Sequence, residues 1–212
     1  MGNSSVNEYF DVIIHGQTWL NLAFLMLTFP LGIIYFVVLI TGLSVGLGLI
    51  ILGVGLVILA AVFMFIWTVT VFERQLAISL LSVSIPTIQL PKTNSPRIWE
   101  RIRVYLIDPV TWKSFLFMLL KFPLGIFSFV MSVTLLATSL GMTFAPIYYQ
   151  ENDMDFVFTE IDTIEKALLV SFIGIVLLPA ALHILNLIAK AYGEVARVLL
   201  SPGEQHESSP VT

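Results

Sequence analysis

Phe29-Pro30-Leu31-Gly32-Ile33 returns ninety-three residues later as Phe122-Pro123-Leu124-Gly125-Ile126, and the reading of these two stretches decides the fold. The same offset carries Thr18-Trp19 onto Thr111-Trp112, Phe24 onto Phe117, and Phe36-Val37 onto Phe129-Val130. One offset shared by separate matches marks an internal duplication. Each phrase opens a long apolar run, so the repeated unit reads as a two-helix hairpin.

The composition says which solvent surrounds these hairpins. Of 212 residues, 58% are hydrophobic and 11% charged, with a mean hydropathy of +0.96. Soluble domains carry about 25% charged residues, and a soluble fold of this size must present much of its surface to water. Lipid is the expected solvent. A net charge of -4 with no basic tail excludes nucleic acid as a partner. The absence of cysteine excludes disulfides, thiolate metal sites and cysteine nucleophiles. No Lys or Arg precedes Arg74, so the positive start of a secretory signal is missing and the first hairpin is expected in the mature protein.

From Leu20 to Phe72 no residue is charged. A crossing needs roughly 20 residues at about 1.5 Å rise each, so this run holds two. The glycines Gly42, Gly46, Gly48, Gly53 and Gly55 mark the reversal, with spans near 29–49 and 51–72. The third and fourth spans are expected near 122–146 and 166–189. The prediction is an all-α membrane protein with four transmembrane helices. They form two hairpins as parallel repeats, each preceded by a short interfacial helix.

Residues 1–18 read as an N-terminal interfacial segment, with Tyr9, Phe10, Ile13 and Ile14 at helical spacing. Residues 19–75 form the first hairpin, 76–111 a cytoplasmic linker, 112–200 the second hairpin and 201–212 a disordered tail. Pro86, Pro91 and Pro96 make the first part of the linker irregular. An amphipathic helix follows, carrying Ile98, Ile102, Tyr105 and Leu106 on one face. Basic residues favour the cytoplasmic side of span ends. The 73–121 segment and Lys190 to Arg197 are basic, whereas 150–165 carries only acidic charge. Charge therefore places the chain in the cytoplasmic membrane with both termini cytoplasmic.

Phe29, Pro30, Gly32 and their repeats Phe122, Pro123 and Gly125 read as a structural motif. Proline suits the first helical turn, and Lys121 near the membrane surface can snorkel to water. Gly32 and Gly125 permit close helix approach. His183 and Asn186, one turn apart and downstream of Pro179, are the candidate intramembrane polar site, because ionisable groups inside a span point to function. Arg97, Trp99, Arg101 and Arg103 are the candidate contacts to anionic lipid or a partner. The acidic stretch from Glu151 to Asp155 lacks EF-hand spacing and reads as a solvated loop. There is no phosphate loop, zinc-helix motif or nucleophile elbow. The chain is not expected to be an enzyme or to hold a cofactor or metal.

The run Leu27-Thr28-Phe29-Pro30-Leu31-Gly32 through Thr41-Gly42-Leu43-Ser44-Val45-Gly46-Leu47-Gly48 resembles the putative sensor domain family of actinobacteria and archaea. So do Phe72-Glu73-Arg74, Asp108-Pro109-Val110-Thr111-Trp112 and Lys121-Phe122-Pro123-Leu124-Gly125. The resemblance covers roughly residues 15–200. It implies a four-span input module of the kind found at the N-terminus of sensor histidine kinases. Only a short polar tail follows Leu200, so signalling is expected to need a separate cytoplasmic or membrane protein. The alternatives are a small transporter or channel subunit, whose pore a homo-oligomer could build, and a membrane assembly factor.

Overall fold

The computed structural model describes residues 9–83, 109–148, 155–156, 159–160 and 163–201. A short helix α1 at 9–14 precedes α2 (Gly16–Gly48), which a single turn of 3-10 helix at Ile50–Leu52 connects to α3 (Val54–Leu81). The second hairpin comprises α4 (Pro109–Thr143), the short α5 (Ala145–Tyr148) and α6 (Ile164–Leu199). Between α5 and α6, β1 (Asp155–Phe156) pairs antiparallel with β2 (Thr159–Glu160), a two-residue ladder beside the helices of the described residues. The four long helices are each long and apolar enough to cross a membrane, as expected for an all-α integral membrane protein.

The first reversal turns on Gly53, whose φ of 76° is a left-handed conformation that suits glycine and closes the 3-10 turn. All four long helices run past the expected span limits. Pro30 and Pro123 therefore lie well inside α2 and α4 instead of in their first turns. Leu20 and Trp19 continue α2 toward its start without a charge, and Trp112 and Phe115 continue α4 around the single Lys113, so no proline or glycine between Trp19 and Thr28 or between Trp112 and Lys121 stops a helix.

The duplication is carried into burial. Each of the nine buried positions of α2 (Thr18, Asn21, Phe24, Leu25, Thr28, Gly32, Tyr35, Leu39 and Gly46) falls on a buried residue of α4 at the 93-residue offset. The second helices follow a different offset of 119. Gly55, Val62, Ile66, Thr70, Glu73 and Ala77 of α3 fall on the buried Gly174, Ala181, Leu185, Ala189, Tyr192 and Ala196 of α6. The extra length of the second repeat lies in its connection, where the acidic loop sits.

The contacts between repeats also settle how the two copies face. Gly32 meets the backbone of Lys121 and Phe122, and Gly125 meets that of Thr28 and Phe29. Phe29 stacks on Phe129 at 4.8 Å between ring centroids, and Phe36 stacks on Phe122 at 4.6 Å. As residue number rises along α2, its partner's number falls along α4, so these helices are antiparallel. Conversely, Thr18 meets Asn186 and Phe24 meets Tyr192, so α6 runs parallel to α2. The expected parallel repeat is thereby corrected. The two hairpins are related by a pseudo-two-fold axis across the bundle, and their tips lie at opposite ends. A sequence offset shows which residues correspond, whereas their relative direction is set by contacts that the offset does not contain.

The α2–α4 seam is the most extensive interhelix contact. In lipid, helix association rests on close van der Waals packing and interhelical hydrogen bonds. The reciprocal glycines allow the first. A Cβ on Gly32 would lie 2.8 Å from the Lys121 carbonyl oxygen, and one on Gly125 would lie 2.9 Å from that of Thr28.

Candidate functional site: a buried ion pair at the repeat interface

The residues that flank the two glycines build the most polar point of the core. Lys121 precedes Phe122 on α4 and is fully buried, at 0% exposure. Its ammonium pairs with the Oε2 of Glu73 on α3, itself 1% exposed. Tyr35 of α2 donates its hydroxyl to Glu73 Oε1 at 2.7 Å. Both carboxylate oxygens are thus engaged, one by each repeat. The expectation that Lys121 reaches the membrane surface is overturned. Its position far inside α4 brings it against Glu73, and an ion with a bonded partner does not need water.

Four aromatic rings enclose the ammonium. Its Nζ lies 5.5 Å from the centroid of Phe24, 5.6 Å from Tyr35, and 5.9 Å from both Phe117 and Tyr192. These distances are within the range of cation–π attraction. Phe24 and Phe117 are repeat mates, whereas Tyr35 and Tyr192 are not, so the cage takes two rings from each copy with only the phenylalanines in equivalent places. The charge it holds is not symmetric. At the two offsets, Lys121 corresponds to Thr28 and Glu73 to Tyr192, which makes one half-site ionic and the other neutral. Thr28 donates back to the Phe24 carbonyl at 2.8 Å, and the buried Tyr192 hydroxyl has no hydrogen-bond partner among the described residues. Of the other charges near this level, Arg74 beside Glu73 is half-buried, while Lys190, Glu194 and Arg197 are exposed on α6.

A second polar layer obeys the same symmetry. Trp67 of α3 donates to Thr111 of α4 at 3.2 Å, and Asn186 of α6 donates to Thr18 of α2 at 3.1 Å. Thr18 and Thr111 are repeat mates, so each first helix is held by the second helix of the other copy. Asn21 donates to Asn186 at 2.9 Å, and Gln17 donates to Asn21 at 3.0 Å and to the Leu80 carbonyl at 2.7 Å.

His183 and Asn186 are therefore not one cluster. Asn186 faces α2, whereas His183 is exposed, with Nδ1 2.9 Å from the Pro179 carbonyl and its ring stacked on Tyr9 at 5.6 Å. A carbonyl only accepts, so that contact places a proton on Nδ1. Tyr9 also donates to the Val176 carbonyl at 2.6 Å, which ties α1 to the second hairpin. Val12 is the buried residue of α1, and Ile14 is 81% exposed, so the apolar face is rotated from the expected one. Arg97, Trp99, Arg101 and Arg103 lie outside the described residues.

Sequence reasoning passed over Glu73, Tyr35 and Tyr192. The available signal was small: one acid ending the first uncharged run and one lysine opening the second. Among the described residues no group of acidic or histidine side chains is placed to hold a metal ion. No curated protein and no solved structure matches the chain. The family described as Putative sensor matches residues 24–200, from Phe24 of the cage to Leu200 at the end of α6, and the chain belongs to that family.

Proposed function

We propose that the chain is a non-enzymatic sensor or regulatory module of the cytoplasmic membrane, which passes a membrane or extracellular signal to a separate signalling protein. The observation that carries this reading is the buried Lys121–Glu73 pair. It joins the second hairpin to the first at their symmetry centre. A buried pair is costly to break and gains little over apolar packing, so it makes a better two-state latch than a source of stability. A signal that binds one hairpin arrangement better than the other shifts the balance by that difference in affinity. The basic part of the 76–111 linker is the segment that would present the change at the membrane surface. Its Arg97, Arg101 and Arg103 would hold it against anionic lipid at about 1 kcal/mol each.

The test is reconstitution of the intact chain with a signalling protein that co-purifies stoichiometrically. That protein's output is then measured with the wild type and with Glu73→Gln. The expected result is an output that changes with the variant. An output blind to it, or no stoichiometric partner, overturns the reading.

One observation favours a second reading, that of a small transporter. Inverted repeats around a polar centre, with proline inside the first helix of each, are the architecture of many secondary transporters. Solute flux in reconstituted vesicles that is lost in Glu73→Gln would establish it in place of the sensor.

A further inference from the structure

The centre of the bundle holds more recognition chemistry than an ion pair requires. An ammonium sits against a carboxylate and a tyrosine hydroxyl, inside four rings drawn from both repeats. A carboxylate within an aromatic enclosure is the arrangement by which proteins bind ammonium ligands. Here the bound ammonium belongs to the chain itself, at the end of a flexible four-carbon stem. The equivalent position of the first repeat is built without an ammonium. There the corresponding residue is Thr28, and the facing Tyr192 hydroxyl is buried without a partner among the described residues.

We infer that the Glu73 centre is a recognition site for a small primary ammonium, and that Lys121 fills it as a tethered ligand. The competing ligand is a primary amine, from a free alkylamine or from the ethanolamine headgroup of a lipid. When such a group takes the carboxylate, Lys121 is released, and the contact that joins α4 to α3 is lost. As a signal, this inference rests on the sensor reading; as a binding site, it stands on the geometry alone. The exchange brings one positive charge to the carboxylate, so the displaced Lys121 ammonium must reach water or another acceptor as α4 parts from α3. A primary amine fits better than a quaternary one, because Glu73 Oε2 accepts an N–H that a quaternary nitrogen lacks.

The experiment uses the full chain. Lys121→Ala vacates the cage and keeps Glu73, and its melting temperature should fall. Ethylammonium or propylammonium at millimolar concentration should then restore at least half of the loss, saturably, as mass action requires. Propanol, which has a similar shape and no charge, should not. Adding Glu73→Gln to the variant should abolish the response, which locates it at the carboxylate. Lys121→Thr, which copies the first repeat, serves if the alanine variant does not fold.

The wild type gives an independent reading in nanodiscs, by hydrogen exchange along α2 and α4. Faster exchange with ethanolamine lipids than with choline lipids identifies a lipid source. Faster exchange with free ethylammonium alone identifies a soluble one. No amine response in either variant, together with unchanged exchange in the wild type, overturns the inference. An output that depends on Glu73 without any amine response removes the ammonium site and leaves the sensor reading standing. Amine binding without any change of output does the reverse.

Discussion

Separating Lys121 from Glu73 tests whether the hairpins are latched by charge. Lys121→Met keeps the length of the side chain and removes the ammonium, which leaves Glu73 buried with only the Tyr35 hydroxyl for a partner. Removing one member of a buried pair costs about 3–5 kcal/mol, because the remaining charge is uncompensated. In a chain of this size each kcal/mol moves the melting temperature by about 2–4 °C. The expected drop is therefore roughly 6–20 °C, combining the two ranges. Glu73→Gln should cost a similar amount by stranding the ammonium. The double variant, neutral at both positions, should return close to the wild type, since apolar or neutral replacement of a whole buried pair is often without cost. Melting in detergent by fluorescence-detected size exclusion measures all four proteins. Arg197 and Glu194 provide the control, a pair 3.8 Å apart with side chains 56% and 67% exposed. Glu194→Gln should shift stability by no more than about 1 kcal/mol. If the double variant instead loses the sum of the two single losses, the groups are not coupled and the latch is refuted.

The glycines give a paired prediction. Gly32→Ala or Gly125→Ala places a Cβ within 2.9 Å of a carbonyl oxygen of the other repeat, and overpacking against backbone should cost about 1–3 kcal/mol. Gly141→Ala, which meets nothing within 4 Å inside α4, should stabilise by about 0.5–1 kcal/mol, and thermal melting reads both. Tyr35→Phe removes a hydrogen bond to a charged group and should cost about 1.5–3 kcal/mol in the same assay. Reversing Arg97, Arg101 and Arg103 to glutamate should weaken flotation with anionic vesicles, and unchanged flotation would show that the linker holds no lipid. Because the chain has no cysteine, single cysteines at Leu52 and Phe156 report which face each hairpin tip reaches. The antiparallel seam predicts labelling from opposite faces. Labelling from one face would restore the parallel arrangement that charge alone suggests.

What was legible in the sequence and what was not divide along one physical line. The apolar runs, their number and their duplication follow from single residues meeting lipid, and they are written locally. The repeated Gly32 and Gly125 marked points of close helix approach, because such approach requires small residues, while the pairing of the two with each other came from the contacts. The meaning of a charge is not local. Lys121 at the start of an apolar run is equally a snorkelling residue or half of a buried pair, and only the position of Glu73 on another helix decides. The same ambiguity hid the direction of the repeats, since an offset is blind to orientation until contacts such as Phe29 with Phe129 are known. Duplication makes two equal halves, and equal halves have no intrinsic polarity with which to report a signal. The substitution of Lys121 and Glu73 on one side for Thr28 and Tyr192 on the other supplies that polarity at the point where the halves meet. On the proposed reading, a module that distinguishes two arrangements of similar hairpins needs such an asymmetry, and the proposed ammonium site would place it where one amine of the right size competes for the carboxylate.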